Sequence, residues 1–134
     1  AQQNGEATVK EEYLDRANEV LEQNVTEEMI RSMTKQGKCV LYAIIAASKA
    51  KKGGKIYSGE VYDYYLKYAE RFGLKKLTFR RVSDLIADMD YNSLIMSKIR
   101  NNGRYGRTRE LSLAFSDNLM LKVEKILLTD LNDS

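Results

Sequence analysis

The apolar residues of this chain recur mainly at the three- and four-residue spacing of an amphipathic α-helix. In residues 79–91 they fall at i, i+3, i+4 and i+7, which places them on one face of a helix. This predicted buried face consists of Val82, Leu85, Ile86 and Met89. The same periodicity predicts helices over residues 9–23, 27–34, 36–51 and 59–72, and another after Ser116. We therefore expect a mainly helical domain.

Capping residues mark the ends of several predicted helices. A hydroxyl group that precedes a helical run can accept a hydrogen bond from the free backbone N–H groups of the first turn. The predicted N-caps are Thr8, Thr26, Ser58, Thr78 and Ser116. Val25 and Ile30 are spaced for a hydrophobic staple around Thr26. Gly73 is predicted to close the helix over 59–72, because glycine tolerates the positive φ of a C-terminal cap.

The hydrophobic period changes after residue 93. Residues 94–101 favour a β-strand, and Thr108–Ala114 alternate between apolar and polar positions as a returning strand does. The segment between them, Asn101-Asn102-Gly103, is typical of a turn. Two helices joined only by Gly73–Leu77 and followed by a hairpin form a winged helix-turn-helix. We predict a mainly α fold with a small β-hairpin, in which the helix over 79–91 is the recognition helix.

Composition limits the classes of protein that fit. The chain has 134 residues, 43% of them hydrophobic, which is enough for the core of one ordinary domain. It has no apolar run near the ~18 residues of a membrane span and no signal-peptide pattern. It begins without Met, from which we expect a fragment or a processed start.

Cys39 is the single cysteine, and the chain has no histidine. A zinc site is thereby effectively excluded, and the commonest general base is missing. Because Cys39 lies in an apolar helical run, we predict a buried, inert thiol rather than a reactive one.

The formal net charge of +3 conceals an asymmetry along the chain. Residues 1–30 carry eight acidic and two basic side chains, whereas the remainder carries 11 acidic and 20 basic ones. Two segments without any acidic residue hold the densest positive charge. One is residues 71–81, at the start of the recognition helix, and the other is residues 98–109, where five of twelve residues are cationic. So much repulsion on a small hairpin indicates an anionic partner.

These two segments supply the predicted DNA contacts. Glycines at the hairpin turn let the backbone approach DNA closely, and arginines beside them suit a narrow minor groove. The predicted DNA-binding residues are Lys75, Lys76, Thr78, Arg80, Arg81 and Ser83 at the helix, and Lys98, Arg100, Gly103, Arg104, Tyr105, Gly106, Arg107 and Arg109 in the hairpin. Asp84 and Asp88 would repel phosphates, so contact is expected at the first turn of the helix. Few Asn or Gln residues lie on its outer face, which predicts modest base specificity.

The same segments resemble a known family. Gly59–Tyr62, Leu77–Leu85 and Gly103–Glu110 closely resemble the C-terminal part of archaeal origin-recognition initiators, the Orc/Cdc-type AAA+ proteins. The likeness runs from about Val9 to about Leu127. It implies a winged helix that binds double-stranded origin DNA, with the recognition helix in the major groove and the wing in the minor groove. By this resemblance Thr78, Arg80 and Arg81 are helix contacts, and Gly103–Arg107 are wing contacts.

The resemblance also predicts the domain organisation. Residues 1–34 would be a helical remnant of an AAA+ lid and hinge, and residues 35–134 the winged-helix domain. The chain lacks a Gly-x-x-x-x-Gly-Lys-[Ser/Thr] loop, so we expect neither enzymatic activity nor a cofactor in this segment; ATP and Mg²⁺ would belong to the AAA+ domain. Expected partners are origin DNA, other initiator subunits and the replicative helicase, with no membrane. The expected location is cytoplasmic and chromosome-associated.

Three other functions fit the pattern less well. A winged helix can serve mainly for protein contact with the helicase or another initiator, and some of the tyrosines of the 59–72 region should then be exposed. These tyrosines are Tyr57, Tyr62, Tyr64, Tyr65 and Tyr68. A transcription regulator can share the fold. A small enzyme is the weakest alternative, because no pair of carboxylates can be placed in a cleft.

Overall fold

The computed structural model describes residues 24–51, 55–101 and 107–132. Its elements in chain order are α1 (24–31), α2 (Lys35–Lys51), β1 (Ile56–Tyr57), α3 (Ser58–Arg71), α4 (Phe79–Tyr91), β2 (Ile95–Asn101), β3 (Arg107–Leu113) and α5 (Asp117–Asn132). The predicted first helix with its Thr8 cap lies outside the described residues. Within them, no helix combines the length and the apolar character that crossing a bilayer requires.

The hairpin is part of a three-stranded antiparallel sheet with the order β1-β3-β2. The sequence pattern did not predict β1, because two residues carry no periodicity. Ile56 of β1 lies opposite Leu111 of β3, and both side chains are buried. The β2–β3 register runs from Ile95 opposite Leu113 to Asn101 opposite Arg107. At the base of the hairpin, β3 is therefore paired with β1 on one edge and with β2 on the other.

The core forms around α2, which packs against α3, α4, α5, β1 and β3. Its run from Cys39 to Leu41 is fully buried, as predicted for the cysteine. The predicted core face of α4 is confirmed, since Val82, Ile86 and Met89 are buried. Leu85 is half-buried at the edge of that face. Four leucines and valines of α5 complete the core: Leu119, Val123, Leu127 and Leu131.

Several helix ends follow the predicted capping chemistry. The Thr78 hydroxyl accepts a hydrogen bond from the Arg81 N–H at 3.3 Å, and the Ser116 hydroxyl accepts one from the Leu119 N–H at 3.3 Å. Gly73 has a φ of +71°, so it supplies the left-handed residue after α3. The chain is thereby turned sharply from α3 toward α4.

Two predicted caps are wrong. Thr26 lies inside α1, and Val25 beside it is 60% exposed, so neither a cap nor a staple forms there. The hydroxyl that caps the next helix belongs to Thr34, which accepts a hydrogen bond from the Gly37 N–H at 3.1 Å. Ser58 is the first residue of α3 rather than its N-cap, and its hydroxyl accepts a hydrogen bond from the Arg109 N–H at 3.3 Å.

Candidate nucleic-acid interface

The connection from α3 to α4 is held from inside the molecule by two tyrosine hydroxyls. The hydroxyl of Tyr65 accepts a hydrogen bond from the Leu77 N–H at 2.9 Å and lies 2.7 Å from Gln36 Oε1. The Gln36 amide donates to the Lys75 carbonyl at 2.7 Å, and the Tyr62 hydroxyl donates to the Leu77 carbonyl at 2.9 Å. The Lys75 carbonyl and both backbone polar groups of Leu77 are therefore hydrogen-bonded to side chains of α2 and α3.

The charged side chains of the connection and of the first turn of α4 point outward. Lys75, Lys76, Arg80 and Arg81 are all exposed, and the first turn of α4 holds no acidic residue. Lys76 lies 3.6 Å from Glu70 across an exposed surface, where such a pair is weak. Among the described residues, no carboxylate lies within ion-pair distance of the other three cations. They are available to an external anion.

The other predicted residues of α4 differ in exposure. Thr78 is exposed although its hydroxyl caps the helix, and Ser83 is half-buried. Asp84 and Asp88 are exposed further along the same helix. The exposed surface of α4 thus changes from positive to negative after its first turn.

The wing presents its described cations on opposite faces. Lys98 is exposed and lies opposite Glu110 in the register, whereas Arg109 lies opposite Ile99, one step along. Since successive side chains of a strand point to opposite faces, Lys98 and Arg109 do not share a surface. Arg109 is half-buried, and its guanidinium donates a hydrogen bond to the Ser97 hydroxyl at 3.2 Å.

The remaining wing residues lie at or beyond the limit of the described chain. Arg100 is part of β2, and Arg107 is the first residue of β3. Gly103, Arg104, Tyr105 and Gly106 lie outside the described residues. Their contacts with DNA, like those of Arg100 and Arg107, stay predictions.

The Cys39 thiol is buried, as the sequence predicted. Burial raises the pKa of the Cys39 thiol from 9.0 to about 12, which keeps it protonated and therefore weakly nucleophilic. The exposed tyrosines that the protein-contact alternative requires are not found in the α3 region. Tyr65 is buried, and the other four are half-buried: Tyr57, Tyr62, Tyr64 and Tyr68. Much of their surface is used within the fold, so they do not form an exposed aromatic surface.

Sequence reasoning missed the residues that support this interface. Gln36, Tyr62 and Tyr65 orient the α3–α4 connection, and Ser97 and Asp90 hold Arg109. Each acts on a residue of another element. A periodicity of the sequence carries no signal for such contacts; only their polarity among apolar neighbours could have drawn attention to them.

Helix α3, the short connection, helix α4 and the β2–β3 hairpin define a winged helix-turn-helix protein in which the first turn of α4, at the position of the recognition helix, is cationic. Comparison with known sequences agrees with this class. The chain belongs to the family of the CDC6 C-terminal winged helix domain, whose sequence profile matches residues 28–123. The resemblance predicted from the sequence and the predicted fold class are both confirmed.

Individual relatives are archaeal replication proteins. The chain is 39% identical to an ORC1-type DNA replication protein of Pyrococcus abyssi over 84% of its length, and 34% identical to ORC1-type DNA replication protein 1 of Sulfolobus acidocaldarius over 91%. It spans 27% and 30% of these relatives. A solved structure of the Aeropyrum pernix ORC1 protein in complex with DNA matches with a TM-score of 0.78 and 33% identity, covering 89% of this chain and 30% of that one.

Proposed function

We propose that this winged-helix domain binds double-stranded DNA, with the first turn of α4 in the major groove and the wing in the minor groove. The observation that carries the proposal is the exposed cationic surface at the start of α4, formed by Lys75, Lys76, Arg80 and Arg81. Its backbone is fixed by the Tyr65 and Tyr62 hydroxyls. Cations on a preorganised support lose less conformational entropy on binding than cations on a flexible loop.

The charge distribution along α4 supports contact through its first turn alone. The positive end of the helix dipole and the adjacent arginines attract phosphate, whereas Asp84 and Asp88 repel it. Such contacts fix orientation and carry little base information. We therefore propose a domain that binds many sequences and gains its base preference from a few contacts or from DNA shape.

The setting that we propose is a replication origin. Relatives are called DNA replication proteins, and the Aeropyrum pernix ORC1 protein has been solved with DNA. In a longer protein, this domain would position an ATP- and Mg²⁺-dependent AAA+ domain on chromosomal DNA. Other initiator subunits and the replicative helicase would then be partners.

The test is a fluorescence-anisotropy titration of a short labelled duplex at low and at moderate salt. If about six cations neutralise phosphates, the logarithm of the binding constant falls with the logarithm of salt at a slope of roughly −5. We expect Arg80→Ala/Arg81→Ala to weaken binding by about 10- to 100-fold and to make the slope shallower by about two. A thermal melt of each variant checks the fold.

The matched control is Lys122→Ala/Lys125→Ala. It removes the same charge from exposed positions of α5, a helix that packs on α2. We expect its affinity to stay close to that of the parent. Equal losses in both pairs would mean that net charge alone governs binding. Unchanged affinity for the arginine pair, with the fold intact, would contradict the proposed interface.

A further inference from the structure

Three side chains link the end of α4 to both strands of the wing. The Ser97 hydroxyl on β2 lies 2.8 Å from Asp90 Oδ2 in the last turn of α4. Nη1 of Arg109 on β3 lies 3.2 Å from the same hydroxyl. A carboxylate has no proton to give, so Ser97 donates to Asp90 and accepts from Arg109. Both hydrogen bonds have a charged partner, which makes them stronger than neutral ones.

The register explains how the three groups meet. Ser97 lies opposite Leu111, and Arg109 precedes Leu111 by two residues on the same face of β3. The two are therefore diagonal neighbours across the strands, a separation that a long side chain can span. That face is turned toward α4, where Asp90 is half-buried.

Apolar packing fixes only the base of the wing. At the base, Leu94 and Ile95 are buried, and the Leu94 N–H donates to the Met89 carbonyl at 2.9 Å. Further out, Ile99 is 56% exposed, so apolar packing is weaker at the Ile99–Arg109 pair. At that level the hydrogen bonds that join the wing to α4 among the described residues run through Ser97.

We propose that Asp90, Ser97 and Arg109 fix the angle between the wing and the recognition helix, so that both reach one duplex together. This inference rests on the proposed DNA-binding function. Arg109 is then a positioning residue that acts through Ser97, whereas the sequence alone placed it among the DNA contacts. A rigid link raises the effective concentration of the second contact once the first has formed. Loosening the link should thus weaken the wing contact selectively.

The test measures how much the wing contributes to affinity in different backgrounds. Arg104→Ala removes a predicted wing contact. The fold-decrease in DNA affinity that it causes is measured in three backgrounds: the parent, Ser97→Ala and Ser97→Thr. We expect about a tenfold loss in the parent and at most about a threefold loss in Ser97→Ala. Ser97→Thr keeps the hydroxyl, so in this background Arg104→Ala should again lower the affinity as much as it does in the parent. Because Ser97→Ala changes no charge, the salt-dependent attraction to DNA is unaltered by the substitution itself.

Arg80→Ala serves as the control in the same backgrounds. Arg80→Ala should lower the affinity for DNA equally in the three backgrounds, because substitutions at Ser97 do not displace α4. An Arg104→Ala loss that is the same in Ser97→Ala as in the parent would overturn the positioning role and leave DNA binding intact, even if Ser97→Ala lowered the melting temperature. Failure of the parent to bind the duplex, or an Arg104→Ala variant that binds like the parent, would overturn both the positioning role and the proposed wing contact.

Discussion

The hydroxyl of Tyr65 accepts a hydrogen bond from the backbone N–H of Leu77 at 2.9 Å, and the whole Tyr65 side chain is buried. The same oxygen lies 2.7 Å from Oε1 of Gln36. One side chain of α3 thereby joins α2 to the connection that leads into α4. Burial raises the pKa of Tyr65 above its ordinary value of 10.0, so the hydroxyl stays protonated further into the alkaline range. The orientation of the recognition helix is thus set from the core.

Replacing this hydroxyl should destabilise the domain. Tyr65→Phe keeps the ring but leaves the Leu77 N–H and the Gln36 amide oxygen without this partner in a partly buried place. We expect the free energy of unfolding to fall by about 1–3 kcal/mol, measured by urea denaturation. Tyr64→Phe is the control, because the Tyr64 hydroxyl makes no hydrogen bond with any described residue. A similar loss in both variants would show that the buried hydrogen bonds are not responsible.

Two residues that follow helices have a positive φ, and at both positions glycine should give the more stable domain. Ser93 follows α4 with a φ of 63°, and Gly73 follows α3 with a φ of 71°. A side chain is strained in this left-handed region, at a cost of roughly 1 kcal/mol. Ser93→Gly should therefore raise the melting temperature by a few degrees.

Gly73→Ala is the mirror experiment. A Cβ at Gly73 would meet nothing within 4 Å, so its cost comes from the backbone alone. We expect a loss of about 1 kcal/mol in the free energy of unfolding. If both substitutions change stability in the same direction, the left-handed geometry of these two residues is not what decides it.

The sequence could predict those features of the fold that depend on residues close together in the chain. The buried face of α4, the Thr78 cap and the Gly73 turn each depend on a few neighbouring residues, and all three are confirmed. β1 was missed, because its two residues become a strand only by pairing with β3. Thr26 was misassigned, because a threonine followed by acidic residues such as Glu27 and Glu28 occurs both at a helix start and inside a helix.

The candidate site divides in the same way. The exposed cations of α4 could be predicted, since exposure follows from the helical period. The role of Arg109 could not, because it depends on the strand register and on the packing of α4 against β2. Only the structure shows that the Arg109 side chain is hydrogen-bonded inward to Ser97, whereas Lys98 on the neighbouring strand is exposed.

Alkaline pH should destabilise the domain through Cys39. In the unfolded chain its thiol titrates near the ordinary pKa of 9.0, whereas burial raises the pKa in the folded state to about 12. Between these values only the unfolded state releases the proton, so stability is complete below pH 9 and falls by about 1.4 kcal/mol for each further pH unit. Burial raises the pKa of Tyr65 and Tyr68 as well, which adds to the loss.

Urea denaturation at pH values on either side of 9 measures this dependence. The comparison is with Cys39→Ala, which removes the thiol and should show a shallower decline with pH, although its stability at neutral pH is lower. Equal declines for the parent and the variant would mean that the buried thiol does not contribute to the alkaline loss.

Asp84 and Asp88 should limit the affinity of α4 for DNA. Both are exposed beyond the cationic first turn, so they would face phosphates if the helix lay deeper in the groove. Asp84→Asn/Asp88→Asn should raise the affinity for a duplex of arbitrary sequence by about 3- to 10-fold at low salt, and less at high salt. Glu28→Gln/Asp117→Asn removes the same charge from exposed positions of α1 and α5, and it should change affinity little. A lower affinity in the first pair would instead indicate that one of these carboxylates accepts a hydrogen bond from a base, as an acidic side chain can from cytosine.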